Sequence, residues 1–272
     1  MESPKEIILL DLNLEDSEGL DSLKKLHYIS DSEVIIVITA VEQKDLGLNL
    51  VRHGAQDYLL KQELTLPLLK KSILYAVERK KLENQLKYSA LHDPLTGLPN
   101  RLLLFNRLQQ LCDRIQWQKD LVVALLFIDV NNFKEINDTY GHAAGDEVLI
   151  ELGKRLQQSV FARDTVARYA GDEFVVLLDG LQMEARLVKV IEKLKIAFRK
   201  PVYLKSVGKE MMVSVSIGIA VRSAEHPFEN IDQLIQAADF AMYEAKKQSR
   251  KKKDPVTVCR FHQEQQKALL YS

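Results

Sequence analysis

Two adjacent carboxylates, Asp172 and Glu173, follow a glycine and stand directly before the apolar run Phe174–Leu178. Taken alone, the pair is most simply explained as a solvated turn, in which Gly-Asp-Glu is ordinary. A third acid, Asp129, closes another apolar segment that begins at Leu121. If the two strands are neighbours, the three carboxylates converge, and such oxygen ligands suit a hard divalent cation such as Mg²⁺. The acids therefore indicate a metal site at the strand ends.

A nucleotide at such a site needs cations for its phosphates. Lys246 and Arg250 are four residues apart in a helical pattern, so they share a face on which they can hold the terminal phosphates of a nucleoside triphosphate. Taken alone, they are more simply a solvated basic helix end. Asn137 and Asp146 suit a purine edge, because an amide donates and accepts while a carboxylate accepts from guanine N–H groups. Each is also common in turns and caps.

The composition excludes several function classes. The 272 residues are 46% hydrophobic, and 38 Lys and Arg balance 38 Asp and Glu. This balance provides no global basic field, so we expect no nucleic-acid partner. We expect no signal peptide at the start and no membrane span, because no apolar run is long enough, and two cysteines are too few for a disulfide framework. We expect a cytoplasmic protein.

The first part of the chain alternates strand and helix patterns. Apolar strands are predicted at Ile7–Leu10, Val34–Thr39 and Asp57–Lys61, which indicates an α/β unit with a parallel sheet. One long helix is predicted over Pro67–Leu91, with an apolar stripe that fits either a two-stranded coiled coil or packing on its own domain.

The second part, after the turn-rich segment His92–Arg101, indicates an α+β sheet of the split-βαβ type. The final HQEQQKALLYS resembles the start of a further helix. The predicted helices are Leu102–Trp117, Ala144–Val160, Ala185–Phe198 and Ile231–Lys247, and the predicted strands are Leu121–Val130, Phe174–Leu178, Met211–Val221 and Val256–Phe261.

Five sequence blocks of this second part resemble the GGDEF domain of diguanylate cyclases. They are DPLTGLPNR, FIDVNNFKEINDTYGHAAGDEVL, RYAGDEF, SVSIGIA and ADFAMYEAKKQSR, in the family's order. The resemblance implies a cyclase-palm domain with a ferredoxin-like βαβ core over residues 92–264, followed by a C-terminal tail at 265–272. It also implies condensation of two GTP molecules into cyclic di-GMP, with release of two pyrophosphates, by a homodimer that uses Mg²⁺ or Mn²⁺.

The resemblance also implies a role for each matching residue. It assigns the metal to Asp129, the carbonyl of Val130, Asp172 and Glu173, with Asp172 or Glu173 deprotonating the attacking 3′-hydroxyl. The substrate-binding residues that it implies are the backbone N–H groups of Asn132, Phe133 and Lys134 for the β-phosphate, Lys246 and Arg250 for the γ-phosphate, Asn137 and Asp146 for guanine, and His142 beside them.

Two positions depart from the family pattern. Ala170 replaces the first glycine of the GGDEF block and strains the turn only if that position requires a positive φ. Phe161 replaces the arginine of the product-inhibition motif, which is followed by Asp164. Because phenylalanine cannot bind guanine or phosphate as arginine does, we expect no product-inhibition site.

The first part resembles the second half of a response-regulator receiver domain, over about Ile7–Val77. Asp11 matches the phosphoacceptor, Thr39-Ala40 the switch pair, Tyr58 the aromatic switch and Lys61 the phosphate-pairing lysine. The family's first strand, with its Mg²⁺-binding acids, is missing, so we expect a truncated receiver at 1–66 with an exposed apolar edge at Ile7–Leu10, and a helical stalk at 67–91. A histidine kinase is a partner only if a full receiver exists.

The leading hypothesis is therefore a dimeric diguanylate cyclase in bacterial second-messenger signalling. The alternative is a catalytically silent nucleotide-binding or interaction module, in which Ala170 and the incomplete receiver are signs of decay.

Overall fold

The structure is a computed structural model that describes residues 7–12, 23–26, 33–40, 44–180, 183–225, 227–250 and 254–271. The chain divides into two compact units, Met1–Ala90 and Leu91–Ser272. No helix in these described ranges is both long and apolar enough to cross a membrane.

The first unit contains the predicted parallel sheet. Strands β1 (Ile7–Asp11), β2 (Val34–Thr39) and β3 (Asp57–Leu60) lie in that order, and helix α1 (Lys44–Arg52) connects β2 to β3. The central strand β2 is almost entirely buried, because apolar clusters cover both of its faces. Within the described residues β1 is an edge strand with Ile7 and Leu9 exposed, as expected.

Helix α2 (Leu66–Leu91) packs its first half onto this sheet. Leu69, Ile73 and Ala76 face β2 and β3, so packing on its own unit explains the first part of the predicted stripe. Farther along, Leu82 and Leu86 are exposed, as are Leu74 and Tyr75 on the side away from the sheet.

The second unit is built on a six-stranded sheet, with the order β11-β10-β9-β4-β6-β5. Its central strand β4 runs antiparallel to both neighbours, β6 and β9, and β10 runs parallel to β9. The bounds are β4 Val122–Val130, β5 Thr165–Ala170, β6 Glu173–Gly180, β9 Val215–Arg222, β10 Val256–His262 and β11 Lys267–Leu270, with a separate hairpin of β7 Val202–Leu204 and β8 Lys209–Met211.

Helices cover both faces of this sheet. Val123, Leu125 and Phe127 of β4 share one core with α3 and α7, whereas the alternate residues of β4 share another with α5 and α6. Burial on both faces explains why β4 is apolar from Val122 to Ile128. The helices are α3 Arg101–Trp117, α4 Phe133–Tyr140, α5 His142–Ser159, α6 Met183–Phe198 and α7 Ile231–Ser249.

Gly218 of β9 sets the distance between the sheet and α7. A Cβ atom on Gly218 would lie 2.0 Å from the carbonyl oxygen of Ala238 and 2.1 Å from the backbone nitrogen of Met242. These are backbone atoms, which cannot rotate away as a side chain can. Only glycine at this position therefore allows α7 to pack this close to β9. The end of α7 is thereby carried towards the end of β4.

Several predicted elements are corrected by the structure. The predicted C-terminal helix is wrong. A short 3₁₀ turn, Gln263–Gln265, is followed by Gln266 with φ of 47°, and β11 then pairs antiparallel with β10. The predicted strand Met211–Val221 is two strands, β8 and β9. The sequence analysis also missed β5, the hairpin strand β7 and helix α4. For β5 and β11, pairing with a neighbouring strand outweighs local propensity.

Candidate active site

The acids come together where β4 ends and β6 begins. The two strands are neighbours, and their register places Asp129 opposite Glu173. Asp172 lies in the turn before β6, where its backbone carbonyl accepts a hydrogen bond from the Val130 N–H at 3.4 Å. Asp129 is buried, with 6% of its surface exposed, whereas Asp172 and Glu173 are partly open. Because β4 and β6 are neighbouring strands, Asp129, Asp172 and Glu173 converge at the same edge of the sheet.

The electrostatics of these acids show a deficit of positive charge. Burial raises the pKa of Asp129; Lys246 opposes this shift, and the charges of Asp172 and Asp239 add to it. The pKa of Glu173 is also raised, first by burial and then by the charges of Asp239, Asp129 and Asp172. Carboxylates that repel one another in this way are stabilised by a cation.

Asp239 on α7 is a fourth acid that the sequence analysis missed. Burial raises its pKa, and its charge acts on both Asp129 and Glu173. Asp239 stands seven residues before Lys246 on the same helix, a spacing of about two turns that brings both side chains to one face. That spacing is the signal from which it could have been found.

Lys246 and Arg250 both line a cavity of about 500 Å³ beside the acids. The Nζ of Lys246 lies 2.6 Å from Oδ1 of Asp129, which joins the end of α7 to the end of β4. Asn132 and Asp254 also line this cavity. The predicted phosphate cations and one of the predicted phosphate-turn residues therefore share one space.

The turn after β4 is shaped by two asparagines. Asn131 is tied to β9, since its side chain donates to Ser214 Oγ at 3.2 Å and accepts from Ser216 Oγ at 2.8 Å. Asn132 then adopts a left-handed conformation, with φ of 57°, and precedes the first turn of α4. The backbone N–H groups in the first turn of a helix have no partner within the helix, and they form a suitable site for an anion. Phe133 and Lys134 are the first residues of that turn.

The predicted guanine-binding residues lie on the two helices that follow. Asn137 is half-buried on α4, and Asp146 and His142 are exposed in the first part of α5. Unlike Asn132 and Lys246, none of these three lines the cavity of about 500 Å³.

The acidic turn itself is held by Gly171 and Arg168. Gly171 has φ of 48°, whereas Ala170 has no positive φ, so the alanine at the first position of the block imposes no backbone strain. Arg168 Nε donates to the Gly171 carbonyl at 2.9 Å, and its Nη1 contacts both Asp93 oxygens at 3.1 Å. This tie to Asp93 was not predicted.

The donor set fits a divalent cation. Among the described residues no three histidine, cysteine or acidic side chains are grouped closely enough to hold a metal by themselves. Mg²⁺, however, is usually held by one or two carboxylates together with substrate phosphates and water. The mutual repulsion of Asp129, Asp172 and Glu173 is the feature of the structure that such an ion would offset.

Phe161 is exposed and surrounded by cations. The charged groups of Arg163, Arg186 and Lys193 lie 5.4–6.0 Å from its ring centre. Asp164 is buried and already engaged, because Nη2 of Arg186 contacts its two oxygens at 2.7 and 2.8 Å and the Phe161 N–H donates to it at 2.9 Å.

In the first unit, Asp11 and Lys61 form an ion pair, with Nζ 2.6 Å from Oδ2, at the carboxyl ends of β1 and β3. Thr39 is buried at the end of β2, and Ala40 follows it. The ring of Tyr58 packs over Gly47 of α1, where a Cβ atom would lie 2.4 Å from the ring.

Comparison with known proteins matches both units. Residues 90–252 match the family model described as "Diguanylate cyclase, GGDEF domain", and residues 1–73 match "Response regulator receiver domain". Diguanylate cyclase DgcN of Escherichia coli is 40% identical over 62% of this chain and 40% of its own length. Response regulator PleD of Caulobacter vibrioides is 31% identical over 91% of this chain and 56% of its own. The chain thus spans 40% of the length of DgcN and 56% of the length of PleD.

Solved structures agree on the fold of the second unit. A structure that comprises only the GGDEF domain of TpbB from Pseudomonas aeruginosa is 37% identical, with a TM-score of 0.55, and covers 62% of this chain and 92% of that one. The coiled coil and GGDEF domain of DgcB from Caulobacter crescentus, in complex with c-di-GMP, has a TM-score of 0.62 over 71% of this chain and 97% of that one. At 23% identity this second likeness shows the fold alone.

The Asp93–Arg168 pair predicts a pH-dependent contribution to stability. Burial alone raises the pKa of Asp93, but hydrogen bonds from Thr96 and the charge of Arg168 outweigh it and hold the pKa below its ordinary value. The pair therefore stabilises the fold above the ordinary aspartate pKa, and this contribution is lost as the pH falls through the lowered pKa. We expect Asp93→Asn to reduce the free energy of unfolding at neutral pH by about 2 kcal/mol, with the difference from wild type shrinking in acid.

Urea denaturation at a series of pH values measures this effect. Asp179→Asn is the matched control, because it removes an aspartate–arginine contact to the half-exposed Arg114 and is expected to cost less than about 1 kcal/mol. A deficit for Asp93→Asn that is the same at neutral and acid pH would contradict the assignment.

Proposed function

The chain belongs to the family of GGDEF-domain diguanylate cyclases, with a response-regulator receiver region before that domain, and we propose that it condenses two GTP molecules into cyclic di-GMP in the cytoplasm, where GTP is made. The observation that carries this proposal is the pairing of Asp129 with Glu173 across β4 and β6, beside a cavity lined by Lys246 and Arg250.

The proposed reaction is an in-line displacement carried out twice. The 3′-oxygen of one GTP forms a bond to the α-phosphorus of the other, the bond from that phosphorus to the β-bridging oxygen breaks, and pyrophosphate leaves. Asp172 or Glu173 takes the proton from the 3′-hydroxyl.

Asp129, Asp172, Glu173 and the carbonyl of Val130 are the proposed ligands of Mg²⁺ or Mn²⁺. When bound, the ion supplies positive charge that offsets the charge developing on the phosphate oxygens. The repulsion among the carboxylates supports this role.

The substrate is proposed to lie along the turn after β4. The N–H groups of Asn132, Phe133 and Lys134 bind the β-phosphate, and Lys246 and Arg250 bind the γ-phosphate. The left-handed Asn132 and the cavity that it shares with both cations support this arrangement. Asn137 and Asp146 bind the guanine edge, with His142 beside them.

A homodimer follows from the chemistry, since one domain that holds one GTP cannot complete a ring made of two. The stalk, helix α2, offers a surface for a second copy: Leu74, Tyr75, Leu82 and Leu86 are each more than half exposed. Burial of these side chains between two helices would favour association.

The receiver region is proposed to regulate the cyclase through Asp11. The Asp11–Lys61 ion pair supports this role, because a phosphorylated aspartate would place its new charge beside the same lysine. A histidine kinase is the partner that this chemistry implies.

Turnover of GTP tests the proposed activity. The purified full chain with GTP and Mg²⁺ should release pyrophosphate and cyclic di-GMP, with a specific activity that rises with protein concentration because two copies are needed. Chelation should abolish activity, and Mg²⁺ or Mn²⁺ should restore it. Asp172→Asn and Glu173→Gln should each lower kcat by about a hundredfold or more.

Asp179→Asn, which changes an acid at the opposite end of β6 from Glu173, is the control and should retain activity. Binding of GTP with no product at any protein concentration would refute the cyclase and support a silent nucleotide-binding module.

Feedback by the product is expected to be absent at Phe161. Asp164 is saturated by Arg186 and backbone N–H groups, and phenylalanine cannot supply the missing guanidinium. Titration of cyclic di-GMP into an Asp172→Asn variant should show no tight binding, and adding Phe161→Arg should strengthen binding at least about tenfold. Tight binding in the Asp172→Asn variant that Phe161→Ala abolishes would contradict this expectation.

Phosphorylation of Asp11 is tested by treatment with acetyl phosphate and Mg²⁺ followed by mass spectrometry. The intact chain should gain the mass of one phosphoryl group, and Asp11→Asn should gain none. The absence of any added phosphate on the wild-type chain would count against a phosphoacceptor.

A further inference from the structure

Gly145, in the first part of α5, lies directly beneath the side chain of Asn137 on α4. A Cβ atom on Gly145 would stand 1.9 Å from Oδ1 of Asn137 and 3.0 Å from its Cγ. Gly145 is buried and Asn137 is half-buried. The amide of Asn137 therefore rests on the bare backbone of α5, one residue before Asp146.

Packing, rather than hydrogen bonding, holds this amide in place. In the described part of the chain no group forms a hydrogen bond to the side chain of Asn137. Its donors and acceptor are thus available to a ligand, and the surface beneath it at Gly145 limits its rotation. That surface exists only because residue 145 has no side chain.

Helix stability alone favours alanine at this position. Glycine within a helix is less stable than alanine because it loses more backbone freedom on folding. The third of the three nearest atoms to the added Cβ would be Cζ of Phe133, at 3.2 Å. All of these atoms belong to side chains of α4, and none belongs to the backbone, so alanine can be accommodated by rotation of Asn137.

We propose that Gly145 is a positioning residue that holds the amide of Asn137 beside Asp146, so that both face the same nucleobase. This inference rests on the proposed function, in which Asn137 and Asp146 bind guanine. It differs from a purely structural role, in which Gly145 would only let α4 and α5 pack closely through Phe133. The two roles predict different responses to the same substitution.

Gly145→Ala in the full chain tests the proposal. The unfolding temperature should be unchanged or higher, because alanine stabilises the helix relative to glycine and the amide of Asn137 can rotate away from the added methyl group. Affinity for an α,β-methylene analogue of GTP, which cannot be cyclised, should fall by about tenfold with Mg²⁺ present, since the amide is no longer aligned with the base. Affinity for the matching ATP analogue should change little, so selectivity for guanine should fall.

Gly153→Ala is the matched control on the same helix. Its Cβ would lie 3.1 Å from Cδ1 of Leu98 and approach no predicted substrate-binding residue, so nucleotide affinity and selectivity should stay at the wild-type values.

A double-mutant cycle separates the two roles of Gly145. If it acts through Asn137, Gly145→Ala should cause no further loss of affinity in an Asn137→Ala background. Losses that add in the double variant would overturn the proposal, because Gly145 would then act through Phe133 or the helix packing.

The outcomes also separate this proposal from the function on which it rests. Equal affinity for the GTP analogue in wild type and Gly145→Ala, with Asn137→Ala weakened, overturns the positioning role and leaves the proposed function intact. Failure of the wild-type chain to bind the GTP analogue overturns the proposed function and the positioning role together.

Discussion

The repulsion between carboxylates on β4 and β6 is the interaction on which the proposed site of the second unit depends. Strand pairing places Asp129 opposite Glu173; burial raises the pKa of both carboxyl groups, and the charges of Asp172 and Asp239 raise it further. Lys246, from the far end of α7, reaches this cluster and contacts Asp129. Its reach depends on the close approach of α7 to the sheet over Gly218, because any larger residue would meet helix backbone there. The packing of α7 over Gly218 in the core thus helps to place the positive charge of Lys246 beside Asp129 at the sheet edge.

A set of hydrogen bonds supports the turns that carry the reactive groups. Asn131 is bound to β9, Gly171 turns the chain into β6 with a positive φ, and Arg168 ties that turn to Asp93. The tolerance of Ala170 follows from this arrangement, since the strained position belongs to Gly171 and not to its neighbour. The proposed base-binding residue Asn137 is positioned instead by contact of its side chain with the backbone at Gly145.

Each unit contains an aspartate–lysine ion pair at the end of a strand, but the two pairs differ in burial. Asp11 with Lys61 and Asp129 with Lys246 are both carboxylate–lysine contacts of 2.6 Å at strand ends. Asp129 is largely buried, with 9% of its side chain exposed, whereas 36% of the Asp11 side chain is exposed. Burial means that the charged form of Asp129 needs a nearby cation for stability. The more exposed Asp11 remains accessible to solvent and to a phosphate donor.

The amino-acid sequence by itself determined the local features: the apolar strands, the long helices to within a residue or two, the adjacent acids Asp172 and Glu173, and the family blocks. Only the tertiary structure decided which groups meet. The register of Asp129 with Glu173, the presence of Asp239, the tie from Arg168 to Asp93 and the contact of Asn137 with Gly145 all join segments that local patterns treat separately. The C-terminal segment illustrates the reason. Its residues favour a helix locally, yet they form β11, because the free edge of β10 offers backbone hydrogen bonds that no local pattern records.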